Sequence, residues 1–416
     1  MVMFQVLVDS VGQGCVLSHT DVSNSLVTKG IIGYLNTCTW HPAIENGKPT
    51  RSSINILFSI TDGKISGELQ RVDSKAFFTN MRSNGAPTIY NKTYTYANPN
   101  LNNYEFTTWD KTNSALNNNL SQHCLVDHTG TLWYATVLDG LKRFDGKTFT
   151  DVNESNSILD KTASVSAMAI DKENNIWLAG GKAVYKYNND KWEKYDSTAT
   201  NISWSGFITT SSNGEVFFAH SKGLSVLKDG KWNLINDQNT PQLPANRVYY
   251  GYRDKQGRLW IGTFSGSIMI DPAGKITSYN NSETPLNDAC IYTITEDESG
   301  NVYFALSSTK KHGVDMDEEG IAMLSKDGKW THYNDKNSGM PANHVNSLFY
   351  DRFEKVLWIS THLAGLVRFD LKDGWENYNN KNSGVTSYDT YEVAQDAGGT
   401  LYVSTYNGLL RIARKK

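Results

Sequence analysis

Two columns of side chains recur at a fixed distance from an acidic turn. They are counted back from Asp127, Asp171, Ser211, Asp254, Asp297, Asp351 and Asp396. Seven before stand Leu120, Ser164, Trp204, Arg247, Cys290, His344 and Asp389, and five before stand Gln122, Ser166, Gly206, Tyr249, Tyr292, Asn346 and Tyr391. The column between them is largely apolar (Val165, Val248, Ile291, Val345). Alternate residues of a strand face opposite sides, so the polar and aromatic columns are expected to share one side. Trp204, Arg247, Tyr249, Tyr292, His344 and Asn346 are the candidate ligand-binding residues there. Segments further along each repeat add His220, Lys222, Phe264, His362, Tyr406 and Asn407. Aromatic faces cover the apolar C–H faces of sugars, and amides and guanidinium groups bond their hydroxyls. The set therefore suits a glycan-derived ligand; the alternative is that these residues fill a channel mouth and bond water.

Three further groupings carry chemistry on paper. His220, His344 and His362 would form a catalytic or metal cluster if the fold brought them together. With Arg247 and Tyr249 they supply the residue types of a polysaccharide lyase, which needs a base near a C–H acid and a cation on the uronate carboxylate. The segment Asp315-Met-Asp-Glu-Glu-Gly320 places oxygen donors at Asp315, Asp317 and Glu319 as in a calcium loop, but position twelve is Lys326 rather than Glu. No cofactor is expected other than Ca²⁺ at this insertion, and a solvated acidic loop is the competing reading. Gly140 to Thr148 resembles a phosphate-binding loop only superficially, with five residues between its glycines and no helical pattern after it. The four cysteines, Cys15, Cys38, Cys124 and Cys290, form no CxxC pair.

Composition excludes several classes. With 40 Lys+Arg against 43 Asp+Glu and a formal net charge of −3, the chain lacks the basic excess of a nucleic-acid binder. No run of 18 apolar residues marks a membrane-spanning helix. The expected partners are a small-molecule or oligosaccharide ligand, or a protein. The N-terminal Met-Val-Met-Phe-Gln-Val-Leu-Val-Asp-Ser has no basic residue and is interrupted at Asp9, so it does not read as a signal peptide.

The elements that hold these residues follow from a repeat. Asp-x-x-Gly-x-Leu-Trp and its variants end in aromatic anchors at Trp133, Trp177, Phe217, Trp260, Tyr303, Trp358 and Tyr402, stepping by 44, 40, 43, 43, 55 and 44 residues. A period of about 40–45 residues with four short strands per unit predicts a propeller blade. In each unit a strand precedes the Asp, a second carries the anchor, a third starts at Gly-Leu, and an outer strand bears Phe149, Trp192, Trp232, Trp330 or Trp375. The last unit ends at Lys416 without an outer strand, while Tyr104–Trp109 stands alone upstream. Pairing the two removes the open edges of a linear array. The expectation is all-β: a seven-bladed propeller over residues 101–416, closed by an N-terminal outer strand, plus a β-rich segment over residues 1–100. Within that segment Thr61-Asp62-Gly63 predicts a hairpin between Ile54–Ile60 and Lys64–Val72.

The repeat resembles the two-component regulator propeller family of Bacteroides-type sensors. The matching pieces are Leu-Trp-Ile-Gly-Thr at 259–263, Leu-Trp-Ile-Ser-Thr at 357–361 with Gly-Leu-Val-Arg-Phe-Asp at 365–370, Gly-Leu-Lys-Arg-Phe-Asp at 140–145, and Asn-Ser-Gly-x-Pro-x-Asn at 337–343. Within these 416 residues no kinase, receiver or DNA-binding pattern follows the repeats, so a free-standing propeller without kinase output is expected. The resemblance implies a sensor-like protein, periplasmic or extracellular, that recognises a ligand or protein partner at its loop face. The alternatives are a polysaccharide lyase or hydrolase at that face, or a protein-interaction scaffold. A fold of this kind hosts many activities, and the non-enzymatic reading is the leading one.

Overall fold

The computed structural model describes residues 2–8, 11–19, 26–45, 48–50, 52–61, 64–72, 99 and 101–415, except 137–139, 154, 160–164, 181–182, 197–199, 201, 203–204, 309–319 and 363. The chain divides into two compact units, Met1–Thr93 and Tyr94–Lys416. In the first, a four-stranded antiparallel sheet runs in the order Gly14–His19, Val2–Val8, Ser52–Thr61, Lys64–Val72. The hairpin expected after Ile60 is present. A helix at Leu26–Thr37 was not anticipated. Its Thr28, Ile31, Ile32 and Leu35 follow the spacing of one helical face, and Leu35 is buried with Phe4, Val6, Val8, Ile54 and Ile56 of the sheet.

The second unit is a seven-bladed propeller of four-stranded antiparallel sheets. Blade one is Ser121–Val126, Leu132–Thr136, Gly140–Phe144 and Phe149–Val152, and the others follow in chain order. Neighbouring first strands lie against each other, and the first strand of blade seven, Thr390–Gln395, lies against that of blade one. They form a closed ring. Apolar layers lie between blades: Leu125, Trp133 and Leu141 of blade one bury against Val165, Met168 and Leu178 of blade two. Cys124 is buried in the layer shared by blades one and seven, with Leu132, Tyr134, Ala394 and Leu409.

The Asp of each repeat does more than shape a turn. In blade four, Asp254 Oδ1 accepts the N–H groups of Gln256 (3.1 Å) and Arg258 (2.9 Å), while Oδ2 accepts the Trp260 indole N–H (2.8 Å) and Arg258 Nε (2.5 Å). The same indole-to-carboxylate bond joins Trp133 to Asp127 (3.0 Å), Trp177 to Asp171 (2.8 Å) and Trp358 to Asp351 (3.3 Å). In blade five the Tyr303 hydroxyl donates to Asp297 (3.1 Å). Blade three shows the rule by its exception: Ser211 replaces the Asp, and the anchor is Phe217, which has no donor to satisfy. The turn glycine lies at positive φ, as at Gly257 (+80°), and in blade two Asn174 takes that conformation (+64°).

Closure is built like the other blades. Tyr104–Trp109 pairs antiparallel with Gly408–Arg414, from Leu409↔Trp109 to Arg414↔Tyr104. A Cβ on Gly408 would lie 2.2 Å from the Trp109 carbonyl oxygen, as one on Gly223 would lie 2.2 Å from that of Ile235 in blade three. The Gly that opens the third strand of blades three, five, six and seven (Gly223, Gly320, Gly365 and Gly408) is thus set by the outer strand passing over it. Past Trp109 the linker repeats the Asn bonds found elsewhere: Asn113 Oδ1 accepts the Asp110 N–H (2.9 Å) and its amide donates to Thr108 O (2.9 Å), as Asn239 does with Asn236 and Leu234. Glu354 of blade six holds the seam, accepting from the Tyr104 hydroxyl (2.6 Å), Arg414 Nε (2.6 Å) and Arg368 Nε (3.0 Å).

Three substitutions test this reading. Asp254→Ala leaves the buried indole N–H of Trp260 without its partner and is expected to lower unfolding stability by about 3 kcal/mol; Ser211→Ala in blade three should cost about 1 kcal/mol. Tyr104→Ala removes a buried ring packed on Trp358 and Tyr378 and should cost about 3–5 kcal/mol. Urea unfolding midpoints measure all three, and a Tyr104→Ala midpoint equal to wild type would remove the closing strand from the stability of the ring.

Candidate functional site

The site starts from an irregularity shared by all seven first strands. Pairing with the second strand slips by one residue at Ser121/His123, Val165/Ala167, Ser205/Phe207, Val248/Tyr250, Ile291/Thr293, Val345/Ser347 and Thr390/Val393. Each is a β-bulge, which sets two residues opposite one and breaks strict alternation. Gln122, Ser166, Gly206, Tyr249, Tyr292 and Asn346 occupy the bulges of blades one to six, with Tyr391 and Glu392 in blade seven.

The bulged residues and those just after them line one cavity of about 570 Å³ within the ring of first strands. Tyr249, Tyr292 and Asn346 lie there as expected, and so do His123, Phe207, Tyr250, Thr293, Ser347 and Glu392. These last six form a column, four before the turn residue, that simple alternation assigns elsewhere. Of the column seven before the turn, His344 alone among the described residues reaches the cavity. The expectation that these two columns share one side is corrected accordingly: the bulge between them shifts the phase of the strand.

Inside the cavity Tyr249 and Tyr292 meet edge to face, with ring centroids 5.0 Å apart. Burial, with Cys290 and Tyr292 alongside, pushes the Tyr249 phenol up to about 12, so it stays a neutral donor. Asn346 donates to Thr390 O in the next blade (2.8 Å). Glu392 Oε2 accepts the Cys124 N–H (3.1 Å) and lies 3.3 Å from His123 Nδ1. His123 and Glu392 were not singled out in the sequence; only the bulge register could have identified them.

The rim is made where the turns between second and third strands fold over the starts of the first strands. Phe264 N–H donates to Arg247 O (2.8 Å), His362 N–H to His344 O (3.1 Å) and Tyr406 N–H to Asp389 O (3.1 Å). The exposed Arg247 guanidinium lies 5.1 Å from the Tyr249 ring centre and 5.6 Å from that of Phe264. In blade six the His344 and His362 rings are 5.1 Å apart, and His362 Nδ1 lies 2.7 Å from Asp389 Oδ1 of blade seven.

Two of the three histidines therefore converge, with Asp389 held against His362. The third does not serve the site. His220 is 1% exposed. Its Nδ1 accepts the Lys222 N–H (3.2 Å), so Nε2 carries the hydrogen and donates to Ser225 Oγ (3.0 Å), which donates in turn to Thr200 O (3.1 Å). It is a neutral core histidine, because its polar atoms are satisfied within blade three. Among the described residues no three His, Cys, Asp or Glu side chains are placed to hold a metal ion. Trp204 and the calcium-loop candidates Asp315, Asp317 and Glu319 lie outside the described residues.

Burial pushes the His344 imidazole down to about 4, with the charge of His362 adding to it and Asp389 opposing. Burial, with Lys222 nearby, pushes His220 down to about 4 as well. Between the ordinary imidazole value of 6.5 and about 4 the unfolded chain binds more protons than the folded one. Stability from these residues is complete above the upper value and is lost as pH falls through that window. Urea midpoints measured across it should fall less steeply for His344→Gln and His220→Gln than for wild type; parallel profiles would remove both groups from the acid response.

The sequence model of the two-component regulator propeller family matches residues 242–265. No curated protein matches the chain significantly in sequence. In structure the chain is similar to the extracellular domain of a hybrid two-component system of B. thetaiotaomicron, with TM-score 0.59 and 21% identity over 74% of this chain and 42% of that one. It is similar also to virginiamycin B lyase from Staphylococcus aureus, solved as a catalytically inactive variant with quinupristin, with TM-score 0.57 and 14% identity over 74% of this chain and 99% of that one. A third is PorZ, a surface component of the type-IX secretion system of Porphyromonas gingivalis, with TM-score 0.54 and 13% identity over 87% of this chain and 50% of that one. The chain spans less than half the length of the B. thetaiotaomicron chain, and at these identities the likenesses show fold. The match at 242–265 covers the end of the linker, the bulged first strand and the Leu-Trp-Ile-Gly-Thr strand of blade four, so this seven-bladed propeller carries the two-component regulator propeller repeat.

Proposed function

We propose that this is a ligand-binding, sensor-type propeller that takes a glycan-derived ligand at the mouth of its channel, outside the cytoplasm. The observation that carries the reading is the layered rim of blades four and five. Arg247 lies over Tyr249 and Phe264, and Tyr249 meets Tyr292 at the cavity edge. Rings held in this way offer flat apolar faces for sugar C–H groups, and a guanidinium fixed by stacking offers donors in a planar fork. The cavity of about 570 Å³ is of a size that accepts a small ligand. The location is supported by the solved domains of similar fold described as extracellular.

A second reading rests on a separate observation. Asp389 holds His362 through Nδ1 at 2.7 Å, and no described residue bonds Nε2. A base oriented by a carboxylate, beside the neutral His344, is the arrangement that proton abstraction needs. In that reading a polysaccharide bound at the rim is cleaved by elimination or hydrolysis.

A thermal-shift screen against a glycan library separates these outcomes. A glycan that binds only the folded state raises the melting temperature. The expected result is a shift with one glycan class that Tyr292→Ala and Arg247→Ala weaken, each by at least about tenfold in affinity. Product analysis of the same mixture with wild type and His362→Gln reads cleavage. No shift with any glycan overturns the reading in favour of a protein partner.

A further inference from the structure

We infer that the channel holds, below its rim, a site for a protonated amine, so that the ligand carries an ammonium group as well as its sugar-like part. This deepens the proposed function and rests on the channel being the ligand site. Glu392 is the single carboxylate among the described residues that line the cavity, and that lining contains no Lys or Arg. Its Oε2 takes both fixed contacts, the Cys124 N–H at 3.1 Å and His123 Nδ1 at 3.3 Å. Among the described residues nothing bonds Oε1. An imidazole nitrogen facing a carboxylate oxygen at that distance carries the hydrogen, so His123 orients the carboxylate without cancelling its charge when neutral. The other titratable lining residues are His344, held neutral by burial, and the phenols of Tyr249, Tyr250, Tyr292 and Tyr391.

A negative group held on one oxygen, in a cavity walled by aromatic rings and closed to cationic side chains, has the features that select an ammonium ion. The carboxylate accepts the N–H donors. The ring faces attract the charge. An anionic ligand would meet repulsion there, and a neutral hydroxyl in the same place could donate to the carboxylate but would bring no positive charge to it or to the ring faces. The rim carries the opposite sign in Arg247, so a ligand with a polar neutral or acidic part outside and an amine inside is complementary to both ends.

The test uses the whole chain and small probes that do not need the rim. At about pH 7 the amine of 2-aminoethanol is protonated, ethylene glycol is its neutral counterpart, and acetate is the anion. Binding is read by NMR titration of the protein or by melting temperature. The expected result is saturable binding of 2-aminoethanol at least about tenfold tighter than that of ethylene glycol, with none for acetate. Glu392→Gln keeps an acceptor for the Cys124 N–H and should abolish the preference. Equal binding of the amine and the diol to wild type overturns the inference, as does a preference unchanged in Glu392→Gln. Should the glycan screen fail while the amine preference stands, the sugar reading falls and the ammonium site survives; the reverse pattern isolates this inference as the error.

Discussion

A carboxylate shared between a turn and an indole sets the frame of the molecule. In blade four Asp254 binds two backbone N–H groups of its own turn through one oxygen and the Trp260 indole through the other. That fixes where the first strand ends and how the second begins, with no freedom to slip by a residue. The Asp is buried and its charge is met by several donors, so an alternative register would strand a charge and an indole N–H together. Everything nearer the channel is positioned by counting back from this point. The bulge falls five residues before it in blades one to six, and the ring of bulges is what shapes the cavity.

The fold could be read from the chain because its signals repeat. Asp-x-x-Gly, the aromatic anchor and the Gly-Leu start each recur, and the Asn linker after Trp109 identified Tyr104–Trp109 as an outer strand displaced to the front. The site was legible only in part. Tyr249, Tyr292 and Asn346 of the cavity lining stand out in the sequence by type at a fixed distance from the turn. His123 and Glu392 were missed because a bulge leaves no mark in residue type: Gln122, Ser166, Gly206, Tyr249, Tyr292 and Asn346 have nothing in common except position. His220 was misplaced for the opposite reason, since a histidine at the end of a second strand looks the same whether it faces solvent or bonds Ser225 inside the blade. The helix at Leu26–Thr37 went unread because Gly30 and Gly33 dilute its pattern.

The rim and the depth of the channel differ in how they hold charge. At the rim, Arg247 is exposed over rings and His362 is tied to Asp389 across a blade boundary. Deeper, Glu392 is held from one side and its neighbours are phenols and hydroxyls. The bulge explains the difference. It turns two successive residues of each strand toward the axis, so the repeat can vary chemistry at two depths, and Phe207, Tyr250 and Tyr292 also pack against the apolar layers between blades.

The antiparallel seam between Tyr104–Trp109 and Gly408–Arg414 has a mechanical consequence. Because Arg414 pairs with Tyr104, the chain enters and leaves the propeller side by side, at the same end of one sheet. Tension applied to the two ends would load the backbone hydrogen bonds one after another, beginning at Arg414, like a zipper rather than in parallel shear. The clasp of Glu354 with Tyr104 and Arg414 sits at that first pair. The ring thus has a defined point of opening under force, at the pair where Glu354 and Asp351 hold Arg414.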